Sequence, residues 1–242
     1  SLKETMAQSH PPWEQLALEL VRSHDAVSLL KLLHRHDNDL NISEPFTQNT
    51  LLHLASTYGF PDIAYILLNR GASVDACNSM QRTPLMCACV EGRELIVKLL
   101  LEYRSDIEAR DMEGCTPLIL TASQGSTSIF NILMNHNANY NAQDDNGMTC
   151  LIYASLRGHL EIVQLLLELP DINIEAHNVQ GFNALIHASI RGHTAIVKAL
   201  LDHGAKIDAT AYGIDSINWA QQNQNHETVT ILMNYRYRTQ YI

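Results

Sequence analysis

An all-α solenoid of stacked helix-turn-helix units is the fold this sequence predicts, and three observations predict it. Thr50, Thr83, Thr116, Thr149 and Asn183 follow one another at steps of 33, 33, 33 and 34 residues. Gly59, Gly92, Gly125, Gly158 and Gly192 each stand nine positions later. Apolar pairs spaced four apart recur in the same register, as Ile63/Leu67, Ile96/Leu100, Ile129/Leu133, Ile162/Leu166 and Ile196/Leu200. A constant period of this size marks a repeat array, in which no unit covers its own apolar face and neighbours must do so.

Each element follows from the residue types. A Thr or Asn at the start can accept a backbone N–H as N-cap, and Pro84 or Pro117 directly after it gives up only an N–H that is unpaired in any helix start. Leu at the third position and Ala at the sixth set a bulky and a small residue at closely packed helices. Gly at the tenth ends the first helix in a left-handed conformation that other residues resist. The Ile/Leu pairs then place one apolar stripe on the second helix.

The motifs inside the units read Thr50-Leu51-Leu52-His53-Leu54-Ala55, Thr83-Pro84-Leu85-Met86-Cys87-Ala88, Thr116-Pro117-Leu118-Ile119-Leu120-Thr121, Thr149-Cys150-Leu151-Ile152-Tyr153-Ala154 and Asn183-Ala184-Leu185-Ile186-His187-Ala188. They resemble the T-P-L-H-x-A signature of the ankyrin repeat. Gly158-His159, Gly192-His193 and the stretches Ile96 to Leu100 and Ile162 to Leu166 strengthen the resemblance, as do the hairpin-like segments Gly71 to Ala76 and Gly204 to Ala209. Only His53 keeps the family histidine. Met86, Ile119, Ile152 and Ile186 replace it, which implies a more apolar inner core and a less firmly defined hairpin. Pro170-Asp171 stands where the family has Gly-Ala, and a bulged loop is expected there.

Two degenerate units flank the five good ones. Leu16 to Leu33 lacks both Thr-Pro and Gly, and Asp215-Ser216-Ile217-Asn218-Trp219-Ala220 opens a last unit whose hairpin is one residue short. Cap-like ends suit a solenoid, since terminal repeats turn a wetter face outward. The resemblance therefore implies an ankyrin-repeat solenoid of about seven units joined by β-hairpin loops. Its expected bounds are an N-terminal tail 1–12, a repeat domain 13–234 (units near 13–47, 48–80, 81–113, 114–146, 147–180, 181–212 and 213–234) and a C-terminal tail 235–242.

Hydrophobic content of 46% with 17% charged residues is that of a folded chain, and no apolar run reaches the ~20 residues of a membrane span. The five cysteines, Cys77, Cys87, Cys89, Cys115 and Cys150, occupy repeat positions and read as buried free thiols of a reducing compartment, the cytoplasm or the nucleus. With 16 cations against 26 carboxylates the formal charge is −10, which disfavours nucleic acid and points to a protein surface. The start at Ser1-Leu2, with no initiator Met, suggests an excised segment, for which the presence of a targeting signal stays open.

Catalytic chemistry finds little support. Cys87 and Cys89 diverge by about 200° on a helical wheel, a poor metal pair. His34 and His36 sit at a helix end, where the dipole accounts for them, and His159 and His193 follow Gly at structural positions. No HExxH, Ser-His-Asp ordering or Gly-rich phosphate loop occurs in a meaningful context. No enzyme, cofactor or metal site is expected.

In the ankyrin family, hairpin tips and the exposed face of the first helix form a concave groove that binds proteins. The matching tip positions here are Phe46, Met80, Arg82, Met112, Glu113, Asp145, Met148, Val179, Phe182 and Tyr212. Those before each Gly include Tyr58, Val90, Glu91, Leu156, Arg157, Ile190 and Arg191. Aromatic, Met and Arg side chains are those enriched in interface cores. Arg157 and Arg191 hold the same position in successive repeats, about 10 Å apart, and expect an acidic component of the partner. The expected role is a monomeric protein-interaction module, serving as scaffold, adaptor or targeting arm. The competing readings are a regulator that occludes an enzyme or transcription factor, and a bacterial effector working in the host cytosol.

Overall fold

The computed structural model of the chain describes residues 12–36 and 40–240. It divides into two compact units, residues 1–112 and 113–242, with the division inside the stretch expected to be one repeat domain.

The first unit contains, among the described residues, α1 (Pro12–Arg22), α2 (Ala26–Arg35), α3 (Leu51–Tyr58), α4 (Pro61–Asn69), α5 (Pro84–Val90) and α6 (Glu94–Glu102). Each odd helix packs on the even one after it, α1 packs on α3 and α3 on α5, and α2 packs on α4 and α4 on α6. The second unit contains α7 (Pro117–Gln124), α8 (Thr127–Asn135), α9 (Cys150–Arg157), α10 (Leu160–Leu167), α11 (Ala184–Arg191) and α12 (Thr194–Asp202). The two-residue strands β1 (Thr210–Ala211) and β2 (Ile214–Asp215) follow, then α13 (Ser216–Gln222) and α14 (His226–Gln240). Here too first helices stack on first helices and second on second. Such neighbour-only packing is that of a helical repeat, as the period predicts.

The first helices start where the period places them. Thr50, Thr83, Thr116, Thr149, Asn183 and Asp215 each accept the backbone N–H three residues on through the side chain. Each such cap contributes about 1 kcal/mol. Gly59, Gly125, Gly158 and Gly192 end their helices in the left-handed region. The second motif departs from this: α5 stops at Val90 with Glu91 as its cap, and Gly92 follows at φ 70°. The Ile/Leu pairs of α4, α6, α8, α10 and α12 are no more than 1% exposed, because the adjacent second helices close over them.

Within each compact unit, neighbouring repeats are also tied by polar contacts. Arg93 Nε donates to the Thr57 carbonyl at 3.0 Å, His159 Nε2 to that of Ser123 at 3.1 Å, and Asn225 Nδ2 to that of Ser189 at 2.9 Å. The same column requires Gly158: its φ is +86°, and a Cβ there would stand 2.8 Å from the His193 ring.

Met86, Ile119, Ile152 and Ile186 are fully buried, as expected of a more apolar core. The hairpins are nevertheless well held. Asn78, Asp144 and Asn178 each accept two backbone N–H groups through one side-chain oxygen, from Met80 and Arg82, Asn146 and Met148, and Gln180 and Phe182. This local turn chemistry accompanies His53 in the Asn78 hairpin and holds the Asp144 and Asn178 hairpins without a histidine.

Three further expectations are corrected. Only the last connection is a strand hairpin, with Thr210 opposite Asp215, and the others described are turns with isolated bridges at Ser43/Thr50 and His177/Asn183. The residues taken as a C-terminal tail extend α14 to Gln240, because Tyr235 donates to the Leu201 carbonyl at 2.7 Å and Arg236 pairs with Asp215 at 2.7 Å. The cysteines are free, but Cys77 is exposed and Cys87 half-buried, leaving Cys89, Cys115 and Cys150 as buried thiols. Residues 1–11, most of the expected N-terminal tail, lie outside the described residues, and no helix described is long and apolar enough to cross a membrane.

Candidate functional site

Backbone hydrogen bonds set the hairpin tips in register. In the first unit Ser79 N donates to Thr47 O at 2.8 Å and Met112 N to Met80 O at 3.0 Å. This ladder aligns Phe46, Met80 and Met112, which are 94%, 40% and 58% exposed. In the second unit Asp145 N donates to Glu113 O and Val179 N to Asn146 O. Val179 and Tyr212 are 75% and 69% exposed there, beside exposed Glu113 and Asp145. Gly114 permits the close approach, since a Cβ at its φ of +78° would meet the Asp145 backbone nitrogen at 2.8 Å.

The ends of the first helices provide the second edge of each face. Tyr58 is 43% exposed and stacks on Phe60 at 5.9 Å, and Phe60 in turn stacks on His24 at 4.0 Å. Val90, Leu156 and Ile190 are half-buried, while Glu91, Arg157 and Arg191 are exposed. Among the described residues Arg157 and Arg191 have neither an ion pair nor a hydrogen-bonding side chain, and neither pairs with the hairpin carboxylate Asp145. Helices α7, α9, α11 and α13 contain no Asp or Glu, and these two arginines are their only fixed charges.

Two candidates leave this surface. Met148 is buried at 7%, because Asp144 draws its backbone inward and the Asn178 side chain packs on its sulfur. Arg82 is a strut: its Nε donates to buried Asp111 at 3.1 Å, and its carbonyl accepts from His53 Nε2 at 2.8 Å. His53 Nδ1 accepts from Thr50 N, so the imidazole bridges cap and hairpin as a neutral ring, and burial lowers its pKa against the opposing pull of the Arg82 carbonyl.

An aromatic cluster occupies the end of the second unit. The Phe182 ring lies 5.4 Å from His187, 5.4 Å from Trp219 and 5.8 Å from Tyr212, the last edge-on. His187 and Trp219 both stand four residues after their caps, Asn183 and Asp215. His187 Nε2 and Trp219 Nε1 are buried and lack a partner among the described residues. Burial, helped by the Arg191 charge, pushes the His187 pKa down to about 4, so the ring is neutral at physiological pH. These two residues were not among the expected partner contacts. Their signal was the column itself, which reads Leu54, Cys87, Leu120, Tyr153, His187 and Trp219 and grows aromatic toward the C-terminus.

No group of three or more His, Cys, Asp or Glu side chains placed to hold a metal ion occurs among the described residues. His34 accepts from Arg70 at 2.9 Å and His36 stacks on Trp13 at 4.7 Å, so each has a structural neighbour. Burial raises the Cys87 thiol to about 11, far from a reactive thiolate.

A family model described as "Ankyrin repeats (3 copies)" matches residues 17–111, 105–178 and 170–241. No curated protein matches the chain.

Proposed function

Because the chain belongs to the ankyrin-repeat family, whose members are generally non-enzymatic protein-interaction modules, we propose that its stacked helix pairs act as a scaffold, adaptor or targeting arm. The binding face in each unit consists of the hairpin tips and the ends of the first helices. The observation that carries this reading is the large apolar side chains left in solvent at the tips: Phe46, Met80 and Met112, held in register in the first unit, and Val179 and Tyr212 in the second. A turn that served only to connect helices would present Ser, Asn or Asp at these places. Exposed apolar residues lined up on one face form a patch of the kind interfaces use. Met adds adaptability to such a surface.

Unpaired Arg157 and Arg191 give the partner an acidic component, since a guanidinium fork is suited to a carboxylate. The chain works as a monomer in the cytoplasm or nucleus, a setting supported by its five free thiols. The test is affinity capture from lysate with the parent chain and with Phe46→Ser/Met80→Ser/Met112→Ser and Val179→Ser/Tyr212→Ser variants. Proteins retained by the parent and lost by either variant support the reading. Identical retention by all three would end it.

A further inference from the structure

Trp219 and Phe182 make the end of the second unit unlike the other tips. Among the described residues the buried indole N–H has no acceptor, and the buried Nε2 of His187 one helix away has no partner. Phe182 touches both rings and the exposed ring of Tyr212. Folded proteins rarely leave buried polar atoms unpaired, and each such atom calls for an explanation. An indole can only donate, so what is missing beside Trp219 is an acceptor.

The charge around the cluster selects the kind of acceptor. The chain has 26 carboxylates, yet the four first helices of the second unit contain none. Their fixed charges are Arg157 and Arg191, both exposed and unpaired among the described residues, and Arg191 lies one helical turn beyond His187. A cationic occupant would meet this pair with no counter-charge on the same helices. Arg157 and Arg191 favour an anion, and the aromatic rings favour an apolar body attached to it.

We propose that Phe182, His187, Tyr212 and Trp219 form an anchor subsite for an acidic peptide segment of a partner protein. An aromatic or aliphatic anchor side chain of that segment lies against Phe182 and Tyr212. A neighbouring Asp or Glu carboxylate binds Arg191, and an oxygen of the segment accepts from the Trp219 indole. Both nitrogens are buried in the free chain, so the segment must displace side chains packed around them, and Phe182 touches both rings. This subsite rests on the interaction reading above and assigns it a location and a ligand chemistry.

The test uses the whole chain and a phage-displayed library of random peptides, from which enriched sequences are synthesised for affinity measurement. Enriched peptides are expected to contain Asp or Glu beside an aromatic or Leu residue. The chain has two tryptophans, so two indole N–H signals are expected in a ¹⁵N spectrum, and the one lost in Trp219→Phe should move on peptide addition while that of Trp13 stays. Phe182→Ala should weaken binding about tenfold or more, as truncation of a central anchor does. Arg191→Ala should weaken it and flatten its salt dependence. If Phe182→Ala does not unfold cooperatively, Tyr212→Ser, at a solvent-exposed ring, takes its place. The proposal falls if no peptide is enriched, if the enriched peptides lack a carboxylate, or if they bind without moving the Trp219 signal. Peptides whose binding is lost in Phe46→Ser/Met80→Ser/Met112→Ser but kept in Phe182→Ala would overturn the subsite while sparing the broader interaction reading. Failure of both that capture experiment and this selection would remove both.

Discussion

Tyr153 donates its hydroxyl to the buried carboxylate of Asp144 at 2.8 Å, and through that bond the first helix α9 holds the hairpin preceding it. The other carboxylate oxygen accepts the backbone N–H groups of Asn146 and Met148. Burial and the neighbouring carboxylate both push the Tyr153 phenol upward, which keeps it protonated and donating. Asp144→Ala strands these donors, and a loss of about 3 kcal/mol in urea unfolding is expected. Asp144→Asn should cost less, because Asn78 and Asn178 perform the same turn chemistry at equivalent positions. Equal stability of the Ala variant and the parent would contradict the account.

His187 makes stability depend on pH. Its pKa is about 4 in the folded chain against 6.5 for the free side chain, so the unfolded state binds the proton first. Between pH 6.5 and 4 the unfolded chain holds more protons, and stability therefore falls as the pH falls through that window. The full difference is on the order of 3 kcal/mol. His187→Leu, using the residue found at positions 54 and 120 of the same column, should reduce this loss. Urea curves at pH 7 and pH 4.5 on parent and variant measure it, and identical losses would refute it.

The two arginines should separate binding from stability. Arg157→Ala with Arg191→Ala removes no described ion pair or hydrogen bond, so the melting temperature should stay nearly unchanged. Affinity for a captured partner should drop about tenfold or more, as when charged anchors of an interface are truncated. A double variant that binds as well as the parent would exclude a role for these side chains.

Arg104 adopts a left-handed φ of 60° at a place where Gly71 and Gly204 stand in other repeats. A side chain in that region costs about 1 kcal/mol relative to Gly. Arg104→Gly should accordingly raise stability by somewhat under that amount, read as a higher urea midpoint at unchanged slope. A lower midpoint would show that the Arg104 side chain contributes more than its backbone strain costs.

Thiol accessibility should rank the five cysteines. Timed alkylation followed by mass spectrometry is expected to label exposed Cys77 first and Cys87 slowly, since burial lifts its thiol to about 11. Cys89, Cys115 and Cys150 should react only after unfolding. Labelling of Cys150 before Cys77 in the folded chain would overturn the assigned burial.

The repeat period, the caps and the buried stripe were legible in the sequence because each is local. A Thr cap acts three residues along its own chain, and the Ile/Leu spacing of four is set by the turn of one helix. The exposure of the residues proposed for binding was mostly legible for the same reason, since Phe46, Met112, Val179 and Tyr212 fall at register positions that a helix pair cannot bury by itself. What only the tertiary structure decided lies between repeats. Arg82 was removed from the free surface by a carboxylate 29 residues away, Met148 by the side chain of Asn178, and the expected tail by contacts from Tyr235 and Arg236 to Leu201 and Asp215. The cluster of Phe182, His187, Tyr212 and Trp219 is of the same kind. Its members lie up to 37 positions apart, and a sequence period reports that two residues are equivalent but not whether their side chains meet or which polar atoms that meeting leaves without a partner.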